Sequence, residues 1–233
     1  MHDAGFTILH ETPWLMVVAK PAGVLVQAPP GIDSLETRVR RFLTDRDRRP
    51  PDAHLGVVHR LDRPATGALL LGLRRVVTRK LSALFEAREV TKRYWVAVEG
   101  AVEPAAGTWT DHVRKLPDQA RAELVAADHP EGRIAVLHYA VRGACPGGTW
   151  LEITLETGRT HQIRVQAAGR GRPVIGDREY GAHAAFGPDV ADPRERAIAL
   201  HARELAFTDP EIGEPVHVTA PLPDTWQALG LQP

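Results

Sequence analysis

The stretch VVHRLDRPATGALLLG (57–72) sets one carboxylate, Asp62, between Arg60 and Arg63 and between two apolar runs. An aspartate beside arginines most often forms a salt bridge in an exposed turn, contributing roughly 0–1 kcal/mol. The flanking apolar runs raise a second reading, because a loop joining two buried strands puts its side chains at the rim of a sheet. There an arginine would keep the carboxylate ionised, and losing one partner of such a buried pair costs about 3–5 kcal/mol. Two other segments carry residues able to complete a site. Tyr94 lies on the alternating segment TKRYWVAVEG (91–100), and Arg159 and Arg164 lie in ETGRTHQIRVQAAG (156–169), where a Thr-Gly turn opens a short helix. A tyrosine on a strand is more often core and a helical arginine more often solvated. Spacing alone leaves a one-carboxylate active site and a purely structural set both open.

Other chemistries find less support. Eleven histidines invite a metal, yet there is no HExxH, no CxxC and no close cluster with ligand spacing. His59 with Asp62 is a pair at best, and His161 and His201 stand isolated. Cys145, the one cysteine, sits in the turn GACPGG and has no feature of an activated thiolate. GxSxG, P-loop and GxGxxG patterns are absent. A lone cysteine fits a reducing cytoplasm, no apolar run is long enough to span a membrane, and MHDAGFTILHE lacks the make-up of a secretory signal. With 29 basic and 29 acidic side chains the net charge is zero, which argues against indiscriminate coating of nucleic acid but allows a local basic cleft. The basic residues are mostly arginine, a planar fork suited to phosphates and to stacking on bases.

The elements that must position these residues follow from periodicity. FTILHETPWLMVVAKPAG reads as two strands around Thr12-Pro13. IDSLETRVRRFLTDRDRR is a helix with Leu35, Val39, Phe42 and Leu43 on one stripe and Asp33 with Glu36 as a capping box. VVTRKLSALFEAREV is a second amphipathic helix through Val77, Leu81, Leu84 and Phe85. ARAELVAADH, RIAVLHYAVRG and GTWLEITLETG read as strands, THQIRVQAAG as a short helix, and 199–223 as two strands around a Pro/Gly hairpin. Strands in meanders rather than βαβ units predict an α+β fold with a mixed, largely antiparallel sheet, in one domain over 1–233.

The sequence resembles the RluA family of RNA pseudouridine synthases along nearly its whole length. The resemblance rests on ordered motifs: KPAG (20–23), HRLDRPATGALLLG (59–72), KRYWVAVEG (92–100), ETGRTHQIRVQAAGRGRPVIGDREYG (156–181) and LHARELAFTDP…APLP (200–223). It implies the pseudouridine synthase fold, with helices flanking the sheet and a central RNA-binding cleft. It implies isomerisation of uridine in structured ribosomal or transfer RNA, without metal, nucleotide or redox cofactor, by a cytoplasmic enzyme; with no interface signal in the sequence, a monomer is the default expectation. Carried over residue by residue, Asp62 is the catalytic carboxylate, Tyr94 packs against the target base and Arg164 pairs with Asp62. His59, Arg60, Arg63, Arg93, Arg159, His161 and Gln162 are the implied RNA-binding set, with Arg60 entering the RNA where the base has left. A basic groove is expected from Arg60, Arg63, Arg93, Arg159 and Arg164.

Departures from the pattern bear on substrate choice. Gln27, Gln166 and Arg172 stand where relatives commonly have histidine, and each is expected to alter the lining of the cleft. The match begins almost at the first residue, so the S4 RNA-binding module that many relatives carry is not expected within this sequence. The stretch 101–150 matches least and is where RNA selection is expected. Two rival readings are a non-catalytic RNA-binding module on the same fold and a hydrolytic base-excision glycosylase, which would release free uracil.

Overall fold

The computed structural model describes residues 5–231. In chain order its regular elements are β1 (Thr7–Glu11), β2 (Leu15–Lys20), α1 (Leu35–Asp47), β3 (Gly56–Val57), β4 (Thr66–Gly72), α2 (Arg75–Glu86) and β5 (Thr91–Glu99). They continue with β6 (Ala106–Lys115), β7 (Ala122–Val125), β8 (Arg133–Cys145), β9 (Gly148–Leu155), α3 (Gln162–Ala168), β10 (Leu200–Thr208) and β11 (Pro215–Thr219). The chain divides into two compact units. The first comprises Met1–Thr91, Val190–Glu195 and Ala202–Leu222; the second comprises Lys92–Asp189, Arg196–His201 and Pro223–Pro233.

In the first unit the strands run β1-β2-β4-β10, with β3 also on β4 and β11 on β10. Every residue of β4 is buried, which is why TGALLLG reads as a continuous apolar run rather than an alternation. Leu15, Val17, Ala68 and Leu70 pack with Val77 and Leu81 of α2 and with Leu205, Phe207 and Val218. Each large side chain so buried contributes about 1.5–3 kcal/mol. The α2 stripe is the one its periodicity predicts. Helix α1 starts differently from expectation, because its N-cap is Ser34. The amides of Leu35 and Glu36 already donate to the carbonyls of Leu25 and Val26, so the amide left for a side chain is that of Thr37, which Ser34 Oγ accepts at 3.2 Å. Asp33 pairs with Arg38 and Glu36 with Arg40 instead.

The second unit pairs its strands β5-β9-β8-β6-β7, all antiparallel. Strand β6 is not legible from apolar alternation, because Trp109 and Val113 are its buried residues and polar Thr110, Asp111 and His112 separate them. On β5, Ala97 is as buried as Tyr94, Val96 and Val98, so this strand is covered on both faces at its centre. Helix α3 is buried from Gln162 through Ala167, and Val165 packs with Val113, Ala122, Ala135 and Tyr180.

Gly67 opens β4 at φ 118°. A Cβ there would overlap the backbone N and O of Ala202 on β10, so backbone conformation and close strand approach both require glycine. Gly67→Ala is expected to lower unfolding free energy by about 2 kcal/mol or more. Gly31, also at positive φ but with nothing within 4 Å of its added Cβ, is the control, and Gly31→Ala should cost about 1 kcal/mol. Equal losses in urea titrations of the two variants would remove the close-approach argument.

Candidate active site

Asp62 sits half-buried in the loop between β3 and β4, and its carbonyl accepts from the Ala65 amide at 3.1 Å to close a turn. What holds this loop is Lys20, the last residue of β2, which is 1% exposed. Its Nζ donates to the carbonyls of Pro21 (2.7 Å), Arg63 (3.1 Å) and Ala65 (2.8 Å). An ammonium has three N–H donors, and here all three end on the KPAG turn and on the loop just after Asp62. Arg63 adds a second tie: its carbonyl accepts from Gly23 N at 2.9 Å, and its Nε donates to Gly23 O at 2.7 Å. Burial draws the Lys20 ammonium down to about 7, Asp62 pulls the other way, and Arg63 and Arg38 add to the downward shift.

His59 anchors the front of the same loop. Its ring stacks on Phe85 with centroids 4.6 Å apart, and its Nε2 accepts from the Leu70 amide at 2.9 Å. Strand β3 pairs with β4 only through Gly56 and Val57, opposite Gly72 and Leu71, and the imidazole takes up the next β4 amide after β3 departs. Arg60 is exposed.

In the second unit Tyr94 is buried on β5, in register with Ile153 of β9. Arg164 is 2% exposed. Its Nε and Nη2 form a two-pronged contact with Asp177 at 2.6 and 2.8 Å. Nη2 also reaches Glu179 at 2.7 Å, and the guanidinium lies 4.8 Å over the Tyr180 ring. Nη1 is 3.1 Å from His161 Nδ1; arginine can only donate, so that ring nitrogen accepts. Tyr180 Oη is 3.0 Å from the same Nδ1 and is also bonded to the backbone of Ala122. Burial pushes the Tyr180 phenol up to about 12, so it remains a donor.

His161 is therefore not isolated as the sequence implied; it is a member of this network. Arg164, expected in the basic groove, is buried, with its guanidinium on the buried Asp177 and on Glu179, which is partly exposed. Gln162 is likewise buried: its Oε1 accepts from Thr157 Oγ1 (2.8 Å) and Arg159 N (3.0 Å), and its Nε2 donates to Val136 O (3.1 Å). Such a residue shapes the loop rather than touching RNA. Arg93 and Arg159 are exposed, and Arg159 Nε donates to Ile134 O. Sequence reasoning assigned no role to Lys20, Asp177, Glu179 or Tyr180. The signals were present in KPAG and in GDREYG, but a charged residue within a motif does not announce that it is buried.

The comparisons name the class to which this α+β fold and its two polar centres belong. The profile of the RNA pseudouridylate synthase family matches residues 14–169, and the chain belongs to that family. It is 34% identical to ribosomal large subunit pseudouridine synthase D of Xanthomonas campestris pv. campestris, over 97% of this chain and 69% of that protein. It is 34% identical to tRNA pseudouridine synthase C of Salmonella typhimurium, over 95% of this chain and 88% of that one. The solved structure of human RNA pseudouridylate synthase domain containing 4 superposes with a TM-score of 0.74 at 24% identity, covering 97% of this chain and 94% of that one. That likeness shows the fold. The family makes the chain an RNA pseudouridine synthase rather than a binding module.

Two measurements probe the buried cations. Between about pH 7 and 10.5 the unfolded chain holds a proton on Lys20 that the folded chain has shed, so this group makes stability rise with pH across that window. Urea midpoints of wild type should climb more steeply from neutral to alkaline pH than those of Lys20→Met; parallel profiles would contradict the assignment. Asp177→Asn removes the buried partner of the Arg164 fork and should cost about 3–5 kcal/mol in unfolding free energy. A loss below about 1 kcal/mol would mean the pair is solvated.

Proposed function

We propose that this chain converts specific uridines in structured ribosomal or transfer RNA to pseudouridine, with Asp62 as the catalytic carboxylate. The observation that carries the reading is the Asp62 loop, tied on one side by three Lys20 hydrogen bonds and on the other by His59. A single fixed carboxylate distinguishes the site from a glycosidase, which normally uses two at a defined separation. The N1–C1′ bond breaks, the uracil rotates in place, and C5 bonds to C1′. C5 then gives up its proton and N1 gains one, so the isomerisation balances without a cofactor. The carboxylate acts in its ionised form, either on C1′ or on the 2′ proton. Tyr94 is assigned to the face of the uracil, where stacking contributes roughly 1–3 kcal/mol, and Arg164 to keeping the catalytic carboxylate charged.

The target base has to leave its stack, at a few kcal/mol, and loops or bulges lower that cost. Arg60, Arg93 and Arg159 are the exposed members of the expected RNA-binding set and are assigned to RNA contact. His59, Arg63, His161 and Gln162 are assigned to holding the loops that present them. The names of the relatives, which modify large-subunit ribosomal and transfer RNA, support those two RNA classes as substrates. We place the enzyme in the cytoplasm as a monomer; among the described residues no helix is long and apolar enough to cross a membrane.

Unmodified ribosomal and transfer RNA carrying tritium at uracil C5 tests the reaction. Wild type should release tritium with no free uracil, and Asp62→Asn should be slower by at least about 10²–10⁴-fold with RNA affinity little changed. Free uracil would establish a glycosylase instead, and undiminished release by the variant would remove Asp62 from the chemistry.

A further inference from the structure

The first unit carries a second charged centre, at the end of its sheet opposite Asp62. Strand β2 pairs with β4 from Lys20–Gly67 at one end to Leu15–Gly72 at the other. Asp62 and its Lys20 anchor belong to the first end. Five residue steps of strand, roughly 17 Å, separate the two. At the far end the β1–β2 turn, the C-terminus of α1 and the β4–α2 junction enclose a cleft of about 510 Å³. Arg46, Arg49 and Arg74 line it together with Glu11 and Asp47.

The carboxylates do not cancel these arginines evenly. Arg46 holds both, at 2.5 Å to Glu11 and 2.6 Å to Asp47. Arg49 donates through Nη2 to Leu73 O at 3.0 Å, a neutral acceptor that fixes the side chain without neutralising it. Arg74 is exposed, as are Arg75 next to it and Arg48 between the lining residues Asp47 and Arg49, and none of these three forms an ion pair among the described residues. His54, hydrogen-bonded to Thr78 at 2.8 Å, has its imidazole held below the usual histidine range by burial and then by Arg75, Arg40 and Arg49. A positive cleft with fixed guanidinium groups fits the phosphodiester backbone, since arginine meets phosphate through two parallel N–H donors.

We infer that this cleft is a second seat for the RNA, holding a backbone segment at a distance from the uridine being isomerised. The inference rests on the isomerase reading for its partner and adds a substrate requirement. The RNA must extend far enough from the target base to reach the opposite end of the β2–β4 pair, as a folded stem does and a trinucleotide does not. Backbone contacts of this kind fix register and carry no sequence information. They raise affinity for structured RNA of any sequence and leave the choice of uridine to the Asp62 end.

The test compares wild type with Arg48→Asn/Arg74→Gln/Arg75→Gln. Asn suits the left-handed backbone at position 48 (φ 56°), and the Arg74 side chain makes no capping bond to α2. Binding is measured across a salt series for an unmodified transfer RNA transcript and, by competition, for a uridine trinucleotide. For the transcript, the triple variant should bind about tenfold more weakly near 100 mM salt, and log K against log salt should flatten by about 2, at 0.7–0.9 per lost phosphate contact. Trinucleotide affinity and turnover at saturating transcript should match wild type. An unchanged slope, or an equal loss on both RNAs, would overturn the inference. Wild type that binds RNA but isomerises none would sink the isomerase reading while leaving this binding comparison intact.

Discussion

Lys20 carries an ammonium inside the protein, at the end of a strand whose residues Met16, Val17 and Val18 are fully buried. Such a charge is tolerated only if its donors are satisfied, and the carbonyls of Pro21, Arg63 and Ala65 do this together. Losing any one of them leaves a buried donor without a partner, so the KPAG turn and the Asp62 loop cannot shift independently. The position of Asp62 follows from this requirement. Gly67 then lets β4 start close against β10, and His59 takes up the amide that β3 leaves behind. A loop with few regular hydrogen bonds of its own is thus held from both ends.

The second unit solves a similar problem with another cation. Arg164 is on a helix too short to be stable alone, but α3 is buried along nearly its whole length and its arginine ends in a fork on Asp177. The Tyr180 ring under the guanidinium and the His161 nitrogen beside it leave that plane little freedom. Breaking one partner of a buried pair costs far more than the assembled pair contributes. The arrangement therefore favours one geometry more than it adds stability. For the isomerisation proposed above, a fixed geometry of this kind is what catalysis by positioning requires.

Much of this was legible in the sequence where burial follows from periodicity. The α2 stripe, the β1–β2 hairpin, β8, β9 and the final hairpin have apolar patterns that allow one reading, and HRLD between two apolar runs marked the loop that Lys20 and His59 hold. Legibility failed where polar residues do buried work. Strand β6 carries Thr110, Asp111 and His112 between its two buried apolar residues, and Asp111 is occupied by Gln166 and Arg170. Asp33 and Glu36 matched a capping box in spacing, yet the Glu36 amide that Asp33 would cap already donates to Val26 O in the preceding loop. Asp177 and Lys20 were visible as letters in motifs, but their partners lie 13 and up to 45 residues away, and no local pattern encodes such pairings.

Gln27, Gln166 and Arg172 were expected to change the lining of an RNA cleft. Gln166 is fully buried, and its Nε2 donates to Asp111 Oδ2 (2.7 Å), Trp109 O (3.2 Å) and Ala135 O (3.3 Å), pinning α3 onto β6 and β8. No RNA group can reach it, so its identity answers to the packing around Trp109, where Arg170 stacks 4.7 Å over the indole. Gln27 and Arg172 differ. Gln27 is exposed and reaches Glu36 at 2.9 Å, and Arg172 is half-buried with its Nε on Ala101 O at 2.7 Å. Of the three, these two are the ones an RNA could meet. Both carry neutral or cationic donors, which suit hydrogen bonding or phosphate contact.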